Sequence, residues 1–319
     1  MISIGVDLGG TNLRVATFEE GRHTAVDHVK EAVGDRRDPA AIVERIADVA
    51  ERLARGQPAT VGIGIAAMLR DRRGTVANSP HLRWRDVAFG ELLATRLGPR
   101  FKIGVYNDVN AIVWGEAVAG AARGCRDVLG VYVGTGIGGG VIAGGQLVEG
   151  VSNCAGEIGH VKVRWDDDAA PCACGQRGCV EAYVGGTYVL ARIKRELAKN
   201  TKTAAIALAG SVDKVTPSHV DAAAADGDPW ALGLWTELSP LLAVALGNAV
   251  AVLNPERLIL GGGLLGRTPT LYAQVTTALL FAAPVASTES LSIVPAELGD
   301  DAGLVGAANL AASGVSIVA

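Results

Sequence analysis

The chain has no surplus of basic charge. Its 319 residues carry 29 Lys and Arg against 33 Asp and Glu, a formal net charge of −4. The electrostatic footprint of a protein that binds nucleic acid or an anionic membrane is absent, so neither partner is expected. No cationic stretch precedes an apolar one at the start. Met1-Ile2-Ser3-Ile4-Gly5-Val6-Asp7 reads as a strand, and no signal peptide is expected. The longest apolar run, Leu241 to Leu253, is interrupted by Gly247 and Asn248. It is too short to span a bilayer and reads as part of a buried helix. The five cysteines, an odd number with three clustered, do not make a disulfide framework. They point to a reducing, cytoplasmic compartment. What remains is a chain long enough for two domains with sizeable cores.

The three clustered cysteines are the most informative residues present. Glu157-Ile158-Gly159-His160 is followed, after eleven residues, by Cys172-Ala173-Cys174-Gly175-Gln176-Arg177-Gly178-Cys179-Val180-Glu181. One imidazole and three thiols, His160, Cys172, Cys174 and Cys179, are the complement of a closed tetrahedral Zn²⁺ site. Free cysteines are often packed core thiols. These three lie in a polar stretch rich in Pro and Gly rather than on an apolar face, which favours the metal. Gly175 and Gly178 let a short loop fold back so that the thiolates converge. Glu157 and Glu181 flank the ligands without being needed by the metal. The loop reads as a staple that positions polar groups for a ligand.

Strand and helix signals alternate along the chain, which predicts an α/β fold. Ile2–Leu8 and Leu13–Phe18 read as a hairpin around Gly9-Gly10-Thr11-Asn12, with a third strand near Thr24–Lys30. Pro39 opens a helix with Ile42, Val43, Ile46, Val49 and Leu53 at helical spacing. Val61–Ile65 and Phe101–Tyr106 are buried strands. Between them lie a loop-rich stretch, Asp71–Asp86, and a short helix near Phe89–Leu97. A second unit starts near Ala119, with strands Val128–Val133 and Gly138–Ile142. Helices over Thr187–Lys199, Pro217–Asp226 and Pro229–Leu253 follow the metal loop. Strands Arg257–Leu260 and Leu291–Val294 and a helix over Ala302–Ala312 complete the chain. Each half opens with a strand, a Gly/Thr-rich turn and another strand, a weak internal repeat that suggests two similar domains facing a cleft.

Those turns suit an anion. Gly9, Gly10 and Thr11 in one half, and Gly134, Thr135, Gly136, Gly138 and Gly139 in the other, present backbone N–H groups with no Cβ to block a phosphate. Gly261, Gly262 and Gly263 form a third such turn after a buried strand. Asp7, beside the first turn, could hold Mg²⁺ through water. Any one of these turns could be a plain hairpin; three in one chain favour nucleotide binding. No Gly-Lys-Ser/Thr follows them, so none is a Walker loop. Gly134–Gly139 does not open a helix, so it is no dinucleotide fingerprint. Asn107-Asp108 follows a buried strand and starts a helix. Asp108 there could accept a proton from a substrate hydroxyl while Asn107 binds a neighbouring one, and the pair equally suits a helix N-cap. The phosphate turns on either side favour the general base.

Together these residues resemble the ROK family of sugar kinases, within the actin-like ATPase superfamily, over nearly the whole chain. Asp7-Leu8-Gly9-Gly10-Thr11 is similar to the family's first phosphate motif and Gly134–Gly140 to its second. Asn107-Asp108 is similar to its catalytic dipeptide, and Gly261-Gly262-Gly263 to its adenosine-side motif. Glu157-Ile158-Gly159-His160 with Cys172, Cys174, Cys179 and Glu181 is similar to its specific zinc-and-sugar signature. Within the family the chain looks most like bacterial glucokinases. The resemblance implies an actin-like (ribonuclease H-like) α/β fold with two similar domains flanking a cleft. These would be a small domain over 1–118, with helix 302–319 packing back on it, and a larger one over 119–301 with the zinc loop. It implies ATP, Mg²⁺ and a structural Zn²⁺. Asp108 would be the base acting on the 6-hydroxyl of glucose. Asn107, Glu157, His160 and Glu181 would bind the sugar, His160 with the ring nitrogen not on zinc. Family members are commonly dimers or tetramers.

One departure bears on the substrate. Many family members carry Pro-Gly after the strand that here ends at Ile65, where this chain has Ala66-Ala67-Met68-Leu69-Arg70. That loop and Asn78-Ser79-Pro80-His81 are expected by the sugar, where they would read its C2 substituent. N-acetylmannosamine, N-acetylglucosamine and fructose are the alternative acceptors. A sugar-sensing repressor of the same family would need a helix-turn-helix domain before the first phosphate motif. Only six residues precede Asp7, so that class is not expected.

Overall fold

Apolar residues alternate along the first strand, β1 (Ile2–Leu8), where Ile4, Val6 and Leu8 are fully buried. In the computed structural model, which describes residues 2–19 and 21–318, β1 is the centre of a six-stranded sheet. It pairs antiparallel with β2 (Asn12–Phe18), which pairs antiparallel with β3 (Asp27–Ala32). β3 begins and ends slightly later than the sequence indicates. On its other side β1 runs parallel to β4 (Ala59–Ile65). Helix α1 (Pro39–Ala54) connects β3 to β4. Asp38 caps it by accepting the Ala41 amide at 3.1 Å, and Pro39 opens it, where its missing N–H costs nothing. Ile42 and Ile46 face the sheet with no exposure, a burial that contributes about 1.5–3 kcal/mol each.

The stretch expected to be loop-rich, Asp71–Asp86, instead carries strands. β5 (Met68–Leu69), β6 (Val76–Ser79) and β7 (Trp84–Val87) form a small separate sheet. The strands are too short for alternation to show, and Val76, Leu82 and Trp84 are buried against the rest of the core. Helix α2 (Phe89–Leu97) leads to β8 (Phe101–Asn107), parallel to β4, and to α3 (Asp108–Ala119).

A second sheet opens with β9 (Val128–Val133), β10 (Ile137–Ala143) and β11 (Gln146–Leu147). After the cysteine loop come α4 (Glu181–Val184), α5 (Gly186–Leu197), α6 (Ala204–Ala209), α7 (Pro217–Ala225) and α8 (Pro229–Leu253). β12 (Arg257–Gly261) then enters parallel to β9. Past α9 (Pro269–Ala282) and α10 (Val285–Thr288), β13 (Ser292–Pro295) runs parallel to β12. α9 is not legible in the sequence. Only Leu271, Val275 and Leu279 are buried, and the apolar residues around them blur the period. α8 extends the apolar run expected to be too short for a bilayer. At 25 residues it is long and apolar enough to cross one by length and composition. Leu234, Trp235, Leu238, Leu242, Leu246 and Val250 are buried within the protein.

Helix α11 (Ala302–Ala312) crosses the first sheet, and β14 (Ile317–Val318) adds antiparallel to β8 at its edge. α11 lies so close that any side chain at Gly62 of β4 would collide with the Ala307 carbonyl. The carboxylate of Glu116, fully buried in α3, accepts the amides of Ala121, Glu297 and Leu298 at 2.8–2.9 Å. It thereby ties the end of α3 to the segment entering α11. Contacts divide the chain into one unit of residues 1–126, 140–156 and 296–319 and another of 127–139 and 157–295. The division expected at 118/119 differs from this over residues 119–126, 140–156 and 296–301.

Candidate active site

In the first unit the C-terminal ends of β1, β4 and β8 carry the first group of residues. Asp7 is paired with Arg14, directly across the hairpin, at 2.9 Å. Burial raises the Asp7 carboxyl above its ordinary range, against the pull of Arg14. The turn after β1 closes by a Gly9 N–H to Asn12 carbonyl bond of 3.0 Å. Gly10 lies under His81, and a Cβ there would come 2.7 Å from the His81 Cβ. His81, at the end of the Asn78–His81 segment, therefore packs directly on the Gly9–Thr11 turn. The segment is held by Ser79 Oγ on the Ala66 carbonyl at 2.8 Å and by Arg37 on the His81 carbonyl.

Asn107 and Asp108 divide their work. Asn107 is the cap of α3: its Oδ1 accepts the amides of Val109 at 2.9 Å and Asn110 at 3.2 Å. Its Nδ2 donates to the Ala67 carbonyl at 3.2 Å, which fixes the Ala66–Arg70 loop beside it. Asp108 is the first residue of the helix, its Oδ1 accepting the Val109 amide at 3.0 Å. The capping role open to either residue thus falls to Asn107.

In the second unit the turn between β9 and β10 is the organising feature. Its Gly134 N–H closes on the Gly136 carbonyl at 2.9 Å. The start of α5 is bound to it: the amides of Gly186 and Thr187 donate to the carbonyls of Gly134 and Thr135 at 2.9 and 3.0 Å. Gly138 and Gly139 lie within β10 rather than in the turn. The Gly261-Gly262-Gly263 turn comes to the same place. Gly262 takes a left-handed φ of 91°, and the Leu264 amide donates to the Val133 carbonyl at 2.8 Å, at the end of β9.

Glu181, at the start of α4, connects this turn to the cysteine loop. Its Oε2 accepts the Ile137 amide at 2.7 Å, and its Oε1 lies 4.0 Å from Cys172 Sγ. A Cβ on Gly136 would stand 2.5 Å from that same Oε2, so a side chain there would push the carboxylate off the Ile137 amide. The ligand atoms of His160, Cys172, Cys174 and Cys179 all lie within 4.8 Å of one another. Cys174 Sγ is 3.7 Å from Cys179 Sγ, and Cys172 Sγ is 3.8 Å from His160 Nδ1. A tetrahedral zinc with bonds of about 2.3 Å to sulfur and 2.0–2.1 Å to nitrogen has edges of about 3.6–3.8 Å. The four residues therefore fit Zn²⁺, with Nδ1 as the histidine ligand. Nε2 is left on the side of Glu157, 3.8 Å from its carboxylate. Burial, with the neighbouring sulfurs, pushes the Cys172 thiol up to about 11, a penalty that a divalent cation would relieve.

Several supporting residues carry no local sequence signal. Arg14 answers Asp7 from the adjacent strand. The hydroxyls of Tyr183 and Tyr188 accept the amides of Ala170 and Ala173 at 2.7 and 2.8 Å and latch the cysteine loop to α4 and α5. Lys162 donates to Cys179 Sγ at 3.1 Å. The Gly185-Gly186 pair after Glu181 was a readable sign that a backbone passes close by.

Comparison with known proteins places the whole chain. Residues 3–313 match the ROK family. A glucokinase from Streptomyces coelicolor is 33% identical, with 97% of each chain aligned. An N-acetylgalactosamine kinase from a Shewanella species is 32% identical over 87% of each. The crystal structure of a ROK family glucokinase from Streptomyces griseus, in complex with glucose and AMPPNP, is 31% identical. It superimposes with a TM-score of 0.78 over 98% of this chain and 100% of that one. A family match spanning nearly every residue, with relatives of this identity and coverage, means that the chain belongs to the ROK family.

Proposed function

We propose that the chain transfers the γ-phosphoryl group of ATP to the 6-hydroxyl of glucose, with Asp108 as the general base. That it is an ATP-dependent sugar kinase follows from its family and from relatives that are kinases over their full length. The observation that carries the finer reading is the capping of α3 by Asn107. With the cap assigned there, the Asp108 carboxylate at the strand's end is the group suited to take the hydroxyl proton. The sugar O6–P bond forms as the bond from the γ-phosphorus to the ADP oxygen breaks, and the proton passes to Asp108. General base help of this kind contributes about 10²–10⁴-fold.

The remaining roles follow from chemistry. Gly10 and Thr11 with Thr135 and Gly136 would donate N–H groups to the phosphates, and Gly261–Gly263 would line the adenosine side. Mg²⁺ on the triphosphate, with Asp7 reaching it through water, would neutralise charge developing during transfer. Glu157, Glu181, Asn107 and His160 Nε2 would hold the sugar hydroxyls. The zinc would be structural, since four protein ligands leave no open position, and it would fix the His160 ring and tautomer. The two units would be the similar α/β domains of an actin-like ATPase. A cytoplasmic homodimer or homotetramer with no nucleic-acid or membrane partner completes the reading.

A second acceptor has specific support. The N-acetylgalactosamine kinase and the glucokinase relatives differ by one per cent in identity, so identity does not separate their substrates. The Ala66–Arg70 loop also departs from the common pattern beside Asn107. A coupled ADP-release assay over glucose, fructose, N-acetylglucosamine, N-acetylmannosamine and N-acetylgalactosamine tests both readings. Glucose should give the highest kcat/KM. A higher value for an N-acetylhexosamine would overturn the glucokinase reading while leaving the kinase intact.

A further inference from the structure

A second cavity lies at the other end of the first sheet. It occupies about 290 Å³ where β1 and β4 begin and β2 ends, away from the strand ends that carry Asp7 and Asn107. That volume is near the lower limit for small-molecule sites and suits a single metabolite. Phe18, Val305 and Ala308 form an apolar wall. The floor is polar: the Thr60 hydroxyl, itself almost fully buried, donates to Ser3 Oγ at 3.2 Å, which leaves the Ser3 proton for a ligand. Asn309 enters from α11. Its Oδ1 accepts the Trp114 Nε1–H at 2.8 Å, so its Nδ2 is what it offers the cavity. The mouth carries opposite charges one turn apart, Glu19 and Arg22, 2.9 Å from each other.

We propose that this cavity binds a free α-amino acid and that its occupancy acts on the catalytic end of the sheet through α11. The match is one of charge and shape. A zwitterion meets both Glu19 and Arg22, ammonium on the first and carboxylate on the second. A lone anion or cation would be opposed by one of them. The side chain then lies along Phe18, Val305 and Ala308, toward the hydroxyls and the Asn309 amide. A phosphorylated sugar lacks the apolar body and carries charge of only one sign.

The coupling rests on what α11 touches. Its C-terminal half lines the cavity. Its N-terminal end abuts the carboxylate of Asp7, where a Cβ on Gly303 would lie 3.8 Å from Asp7 Cγ. Between them it runs backbone to backbone with α3, the helix that Asp108 opens, at Gly306 and Ala111. The Asn309–Trp114 bond ties the cavity wall to α3 directly. A ligand that takes the Asn309 amide therefore bears on a close-packed rod held against both Asp7 and the Asp108 helix. Packed elements of this kind shift as units rather than deform.

The test is a thermal-shift titration of the intact protein with the common amino acids, one at a time, with glycine as the control that lacks an apolar body. At least one apolar amino acid should raise Tm, because a ligand bound only by the folded state stabilises it. Glu19→Ala and Arg22→Ala, both at the exposed mouth and outside the catalytic machinery, should each weaken that binding about tenfold or more. The same amino acid should change the sugar KM or kcat at least about twofold in the wild type, within the usual range of allosteric coupling, and leave it unchanged in Arg22→Ala. Trp114→Phe, which removes the donor to Asn309 and keeps an aromatic ring in its place, should bind the ligand and lose the kinetic response. The binding arm needs no assumption about which sugar is phosphorylated. No shift with any amino acid, a shift in both mouth variants as large as the wild type's, or a shift with sugar phosphates alone would overturn the site. Binding without a kinetic response would overturn the coupling.

Discussion

The two large sheets share one strand order but differ in what joins their strands. The first runs β3-β2-β1-β4-β8 before its edge strand, and the second β11-β10-β9-β12-β13. In each, a strand and a glycine turn lead to a neighbouring strand, and later strands add parallel on the other side. The first sheet passes from its third strand to its fourth through α1 alone, whereas the second inserts the cysteine loop and helices α4–α8 at that point. The first connection closes by burying an apolar stripe. The cysteine loop has little to bury beyond Val163, Ala169, Cys172 and Cys179, so tyrosine hydroxyls latch it and the proposed zinc would hold the rest. Where a segment cannot bury enough apolar surface to offset its ordering entropy, a metal can supply the difference.

If chemistry belongs to the first sheet and substrate holding to the second, the largest effect should come from Asp108→Asn. It should lower kcat by about 10²–10⁴-fold and leave sugar binding measurable by calorimetry. Retention of more than about a tenth of kcat would move the base to another carboxylate, with Glu181 the first to examine.

Next in size is Cys174→Ser. Native mass spectrometry should find about one zinc in the wild type and none in the variant. Activity should fall about 10–100-fold as His160 and Glu181 lose their orientation. A wild type that is free of metal yet fully active would remove the contrast between the two connections.

Gly62→Ala tests the first sheet by itself. The added methyl meets the Ala307 carbonyl, and the forced shift of α11 should cost about 1–3 kcal/mol in urea unfolding, with zinc content unchanged. An unchanged midpoint would mean that α11 is not held as tightly as its backbone contacts imply.

The smallest effect concerns the helical insertion. Asp228 caps α8 through the Ala231 amide at 2.9 Å and also accepts the Ala204 amide at 2.8 Å, at the start of α6. Burial opposes its ionisation, but these amides outweigh it and hold the carboxyl below the ordinary 3.8. A depressed carboxyl stabilises above its unfolded value, and that contribution is lost as pH falls through the folded value. Asp228→Ala should therefore cost about 1 kcal/mol near neutrality. Its melting curve should begin to approach the wild type's below about pH 3.8 and meet it only once the pH has passed the lower folded value. A gap that persists in acid would assign the loss to packing.

Local devices were legible because each needs only neighbouring residues. Pro39 and Pro229 mark helix starts, Gly175 and Gly178 mark a folded-back loop, and the spacing of Cys172, Cys174 and Cys179 marks a cluster of sulfurs. The strands of Asp71–Asp86 were not, since two to four residues are too few for a period to appear. α9 was hidden for the opposite reason: its apolar residues extend beyond the buried stripe.

Residue type and spacing alone determined an α/β chain with three glycine turns, a loop that gathers one histidine and three cysteines, and the Asn107-Asp108 pair. Each of these is written within about 25 consecutive residues, a range in which backbone preference and ligand spacing act directly. Which of Asn107 and Asp108 takes the cap, that Arg14 answers Asp7, that Glu181 lies under the turn at Gly136 and that α11 returns to the first sheet were decided only by the tertiary structure. These contacts join residues far apart in sequence or turn on the direction of a single side chain. Long-range contacts form only when the whole core offsets the entropy of bringing them together, and no local pattern records that outcome.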